Sequence, residues 1–204
     1  MSTVKAPEPE PPATANFEFH RIQSGFQTSF YALGFVTNTS PFIIDQPKVI
    51  AVLLDARGQE VGTDFGYGER DVLGPGERTP IKILISDPPE HASIRYEVVV
   101  SKASYIPAQV AGLRIEPKPA QRGKWGKDNW EIEGKVHNEG QQPAKFVSIE
   151  IQALDAEGKL VGVGNTYADA EVLAPGAMAR YSTQITVTGE PDRFDFVVES
   201  RVAD

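Results

Sequence analysis

The feature that most constrains this chain is an internal repeat. A shift of 100 residues with no gap lays Phe30 through Ala103 over Trp130 through Ala203, with 18 identities in 74 positions. Eleven of them fall between positions 54 and 76, and they are the residue types that turns require. Leu54-Asp55-Ala56-x-Gly58 matches Leu154-Asp155-Ala156-x-Gly158, Val61-Gly62 matches Val161-Gly162, and Tyr67 matches Tyr167. Val72-Leu73-x-Pro75-Gly76 matches Val172-Leu173-x-Pro175-Gly176. The Asp-Ala-x-Gly segments suit a hairpin in which Asp caps its own turn and Gly takes a positive φ. Each Pro-Gly suits a tight turn entering the next strand.

Between the turns the pattern has period two. Trp130, Ile132, Gly134 and Val136 alternate with Glu131, Glu133, Lys135 and His137, and Val147, Ile149, Ile151 and Ala153 alternate with Ser148, Glu150 and Gln152. Such alternation marks half-buried strands. Short strands at regular spacing, without a helical period of 3.6, predict an all-β fold: two tandem immunoglobulin-like antiparallel β-sandwiches, with a barrel as the lesser alternative. The expected organisation is a Pro-rich N-terminal segment over residues 1–16, a first sandwich over 17–103, a short linker at 104–109 and a second sandwich over 110–204. The second carries a long first hairpin loop over 117–129 that the first lacks.

The residues just quoted resemble the FxLYD family of bacterial domains, small immunoglobulin-like sandwiches. The shared pattern is an aromatic, then Gly-x-Val-x-Asn, then an apolar strand ending in an Asp-containing turn, then Leu-x-Pro-Gly. Here these are Phe30, Gly34, Val36, Asn38, Asp55, Gly58, Leu73, Pro75 and Gly76, repeated 100 residues on with Trp130 as the aromatic. Ala51 and Leu54, like Ile151 and Leu154, stand where the family's naming Phe and Tyr would be. The resemblance implies no catalytic or binding residue. It favours a place outside the cytoplasmic membrane, in the periplasm or at the cell surface, although no signal peptide or anchor precedes Phe17 as written.

Composition removes several functions. Zero cysteines exclude disulfides, thiolate nucleophiles and Cys-containing zinc sites. The net charge of −8 is spread evenly, with 10 basic and 14 acidic residues on each side of a cut after Glu116. That balance opposes nucleic acid and anionic lipid. No apolar run approaches a membrane-spanning length. His20, His91 and His137 lie far apart with no nucleophile or paired ligand beside them, so no enzyme, cofactor or metal is expected. Asp64, Glu69 and Asp71, echoed by Asn165, Asp169 and Glu171, have oxygen ligands at loop spacing but read better as solvated acidic loops than as a calcium site. Asn38-Thr39-Ser40 is formally a glycosylation acceptor. Because Asn138 recurs without the sequon, a turn-capping amide explains both asparagines.

The two copies differ most at positions that should face outward. The second has Glu131, Glu133 and Lys135 where the first has Tyr31, Leu33 and Phe35. Ile50 and Val52 stand for Glu150 and Gln152, and Leu84 and Val99 for Gln184 and Glu199. These seven apolar residues predict a surface for a protein partner or a second copy. The competing readings are that Phe42-Ile43-Ile44 or the N-terminal segment covers one face, or that the two sandwiches pack on each other. A second candidate is the basic loop with Lys118, Arg122, Lys124, Trp125 and Lys127, suited to a cell-surface polymer or glycan through its aromatic. The expectation is therefore a non-catalytic scaffold protein, with a glycan-binding module as the alternative.

Overall fold

The computed structural model describes residues 11–124 and 126–203. The described chain is all-β and antiparallel. Its N-terminal half contains β1 (Ala15–Ser24), β2 (Phe30–Asn38), β3 (Ile44–Asp45), β4 (Lys48–Leu54), β5 (Glu60–Tyr67), β6 (Val72–Leu73), β7 (Arg78–Ile85) and β8 (Ser93–Val99). The C-terminal half contains β9 (Leu113–Pro117), β10 (Gln121–Arg122), β11 (Asn129–Asn138), β12 (Ala144–Leu154), β13 (Leu160–Tyr167), β14 (Val172–Leu173), β15 (Met178–Thr186) and β16 (Arg193–Val202).

In the first half a sheet ordered β1-β2-β7 faces a sheet ordered β5-β4-β8, with β3 paired to β6 beside them. Alternate residues of both sheets meet between them: Ala32, Val36, Ile81 and Ile83 from one, Val49, Ala51 and Leu53 from the other. In the second half β11 carries β15 on one side and β9 and β10 on the other, while β12 lies between β13 and β16. Ile132, Val136, Ile149, Ile151 and Ala153 form the core between these sheets. The ladders carry the same offset as the sequence: Ile50 faces Phe65 and Glu97, and Glu150 faces Asn165 and Val197.

The turn chemistry follows from the side chains. Gly58 and Gly158 both adopt φ of +77°, a conformation that costs a Cβ-bearing residue energy. Asp55 Oδ1 accepts from the Arg57 and Gln59 amides at 2.8 and 2.9 Å, and Asp155 Oδ1 accepts from the Lys159 amide at 2.8 Å. Gly134 is needed for space instead, since a Cβ there would collide with the Tyr181 hydroxyl laid across the strand.

Asn38 and Asn138 are structural. Asn38 Nδ2 donates to the carbonyls of Phe42 and Leu73, both at 2.9 Å, and its Oδ1 accepts from the Ser40 amide at 2.8 Å. Asn138 repeats this with Gln142, Leu173 and Gly140 at 2.8, 2.8 and 3.0 Å. Both amides are buried, so each ties a strand end to two loops. Replacing Asn138 with Ala takes the side-chain partner from the buried Leu173 carbonyl, the Gln142 carbonyl and the Gly140 amide, and the expected loss is on the order of 3 kcal/mol. Urea unfolding of Asn138→Ala checks this, and a midpoint equal to the parent's would refute it.

The halves dock on each other, and this corrects the reading of Tyr31, Leu33 and Phe35 as an intermolecular surface. Leu33 and Phe35, on the outer face of β2, are at most 1% exposed. They pack with Leu154, Leu160 and Val163 of the second half, with Tyr31 alongside. Polar contacts frame this cluster. His20 Nδ1 accepts from the Leu160 amide at 2.7 Å, Arg21 binds Asp155 at 2.8 Å and the Thr188 carbonyl at 2.9 Å, and Gln23 donates to the Thr186 carbonyl at 3.0 Å. Burying five such apolar side chains contributes about 10 kcal/mol gross. The halves are tethered, so little translational entropy opposes the contact.

The junction is short and packed. Pro107 is buried, the Ala108 carbonyl accepts from the Val202 amide at 3.1 Å, and Gln109 Oε1 accepts from the Ser200 amide at 2.9 Å. Within the long loop over 117–129, Gln121 and Arg122 of β10 pair with Glu131 and Trp130.

Candidate functional site

With Tyr31, Leu33 and Phe35 inside the molecule, the other four apolar residues fall in two places. Leu84, opposite Tyr31 on β7, is exposed at the rim of the inter-half contact. Ile50, Val52 and Val99 lie on the outer face of the β5-β4-β8 sheet. The residues alternating with them, Val49, Ala51 and Val98, point into the core or pack against it. Val52 is buried, Ile50 is half-buried and Val99 is 51% exposed.

The structure adds Phe65 and Tyr67 to this face. Phe65 pairs with Ile50 and Tyr67 with Lys48, and they are 53% and 47% exposed. Their rings meet edge to face at 5.7 Å, and Lys48 Nζ sits 4.0 Å from the Phe65 ring centroid. Arg95 and Glu97 pair with each other at 2.8 Å along the same sheet. The result is an apolar and aromatic strip with charges at its border. Phe65 was legible in the same comparison of copies, because Asn165 replaces it. Tyr67 was not, because Tyr167 is identical and the comparison cancels.

The corresponding face of the second half has the opposite character and a different fate. Glu150 and Gln152 point outward as the alternation requires, yet both are buried. Thr79 of β7 donates to Glu150 Oε2 at 3.3 Å, and Gln152 Nε2 donates to Glu150 Oε1. Arg70 spans from Glu77 at 3.1 Å to Glu199 at 2.8 Å. Burial pushes the Glu150 carboxyl up to about 7 against the pull of Gln152 and Arg70. Burial raises Glu69 as well, with Lys82 opposing, and it lowers His20 despite Glu18.

Of the acidic loop residues, Glu69, Asp71 and Asn165 line one groove, and the bonds made by Asp64 and Asp71 are separate. Asp64 accepts from the Ser86 amide at 3.2 Å, and Asp71 pairs with Arg201 at 3.2 Å. Among the described residues no three His, Cys, Asp or Glu side chains gather as metal ligands. The histidines are separate too: His91 contacts the Pro89 carbonyl at 2.9 Å, and His137 contacts Glu116 at 2.9 Å.

The basic loop is substantially paired within its own half. Lys118 binds Glu133 at 2.8 Å. Arg122 pairs with Glu190 and the Lys127 carbonyl, and its guanidinium lies 4.8 Å from the Trp130 ring centroid. Lys124 and Lys127 are exposed. Trp125 lies outside the described residues.

The architecture thus defines the class: an all-β protein of antiparallel, sandwich-like sheets. No family model and no curated protein matches the chain. Among solved structures, red sea bream transglutaminase aligns over 92% of this chain at 12% identity and a TM-score of 0.28. The aligned part spans 31% of that protein's chain, and the functional reading therefore rests on the geometry above.

Proposed function

We propose that this protein is a non-catalytic scaffold component that assembles with a second copy through the outer β5-β4-β8 face of its N-terminal half. The observation that carries the reading is the strip of Phe65, Tyr67 and Val99, each about half exposed, around Ile50. Exposed aromatic and aliphatic side chains in one contiguous patch lower their free energy when covered. Lys48, Arg95 and Glu97 give this face both signs of charge, so two copies related by a two-fold axis can place Lys48 of one against Glu97 of the other. The non-catalytic part is supported by the separate engagement of the three histidines.

Light scattering after size exclusion, over a wide concentration range, is the test. The expected result is a dimer at high concentration that Phe65→Glu converts to a monomer without changing the thermal midpoint. A monomer at every concentration, or a dimer that Phe65→Glu leaves intact, would overturn the reading. A glycan-binding role through the basic loop is the competing function, and it predicts no effect of Phe65→Glu on any ligand.

A further inference from the structure

The first half covers only part of the outer β12-β13-β16 face. Beyond Glu150 the face opens into a groove of about 260 Å³, floored by Ser148, Asn165 and Tyr167 and walled by Asp71 and Gln109. Phe146 and Arg201 lie at its end and also line a second groove of about 340 Å³ that continues past Tyr105 and Pro107. Sharing these two residues, the grooves make a cleft on the second half whose first part is also lined by Glu69 and Asp71 of the first half.

Three features of this cleft have no structural explanation. Tyr167 and Phe146 are each 61% exposed and Tyr105 is 71% exposed, so three rings spaced along a groove contribute little to either core. Phe146 adopts φ of +52° at the register shift between Lys145 and Ser148, a conformation rare for an aromatic residue and usually kept where the side chain's position matters. Ser200 also lines the groove. Its hydroxyl is buried and bonded to no protein group, although the residue is only 3% exposed.

Two acidic residues of the cleft are paired, Asp71 with Arg201 and Glu199 with Arg70, Lys145 in the second groove has an interaction of its own, and the Glu69 carboxyl in the first is pushed up by burial. The rest of the lining is mostly hydroxyl, amide, apolar and ring. An extended peptide would seek main-chain partners. Here β12, at the middle of the face, is flanked on both sides by β13 and β16, so its own backbone groups are already bonded and the face presents mainly side chains. We infer that this cleft binds a neutral polysaccharide, with the faces of Tyr167, Phe146 and Tyr105 against sugar rings and Asn165 and Ser148 meeting hydroxyls. Flat rings present apolar faces to the C–H surface of a pyranose, and mixed donors and acceptors suit its hydroxyls.

Affinity electrophoresis of the full chain, in gels containing xyloglucan, galactomannan, a soluble β-1,3-glucan or dextran, tests this. The expected result is retardation by at least one polymer. Tyr167→Ala should weaken it about tenfold, the factor for withdrawing one ring face of apolar area from the contact. Phe146→Gly separates ligand from structure: relief of the positive φ should hold or raise the thermal midpoint while retardation falls. Phe65→Glu, which tests the assembly face, should leave retardation unchanged. Three outcomes overturn the inference: no retardation by any polymer, retardation that survives Tyr167→Ala with Phe146→Gly but is lost in Trp125→Ala, or selection of displayed peptides that compete for Tyr167 without any polysaccharide binding.

Discussion

Leu33→Glu combined with Phe35→Glu should split the molecule into two folded sandwiches joined by a free tether. Each side chain is buried against Leu154, Leu160 and Val163, where truncation of one large residue costs about 2–5 kcal/mol. A carboxylate adds the cost of a charge without a partner. The two cores lie elsewhere, between the sheets of each half, so the β-sheet signal should persist. Small-angle scattering should report a larger radius of gyration. An unchanged radius with a thermal midpoint within about 2 °C of the parent would show that this cluster does not hold the halves together.

Glu150→Gln should make the protein more stable at pH 8 and flatten its dependence on pH. The Glu150 carboxyl titrates at about 7 in the folded protein against 4.5 when unperturbed. Below about 4.5 the group is protonated in both states and exerts no penalty. As pH rises through the folded value, the unfolded chain has already released its proton and the folded chain must give one up within a buried contact, so stability falls across that window. At about 1.4 kcal/mol for each pH unit, the full effect is about 3 kcal/mol, or about 6–12 °C in midpoint for a chain of this size. Thermal unfolding from pH 5 to pH 8 checks it, with the two proteins converging near pH 5 and diverging by pH 8. His20 contributes the opposite sign: its pKa is lowered, so stability is lost as pH falls through the folded value, and that acid-side loss should survive in the variant. Equal stability of variant and parent at pH 8 would mean that the folded carboxyl ionises without cost.

Much of the local structure was legible because its causes are local. Asp55 and Gly58 specify a turn by a side-chain bond and a backbone conformation that need no distant partner, and period-two alternation assigned Ile149 and Ile151 to the core and Glu150 and Gln152 to the outside. Asn38 and Asn138 were read as turn caps on their recurrence alone, and both bond as caps. The candidate surfaces were legible only in part. Comparing copies found the apolar residues of the first half, but difference at a position does not say what covers it. Tyr67 and Tyr167 were invisible to that method, and so was Tyr105, which lies beyond the aligned block; Phe146 against Gln46 is a difference, but with the apolar residue in the second copy, where the comparison sought polar ones.

The sequence by itself determined an all-β chain, its turns, the inward and outward face of each strand and the length of the junction. Those properties depend on residues near one another in the chain and on the two-residue period of a strand. Only the tertiary structure decided that the outer face of β2 meets β13, that Glu150 is outward yet buried, and that Ile50, Phe65, Tyr67 and Val99 stay open. Whether an outward residue meets water or another sheet depends on how two sandwiches dock, and that is set by the shape and chemistry of faces whose residues are more than 100 positions apart, such as Leu33 and Leu160.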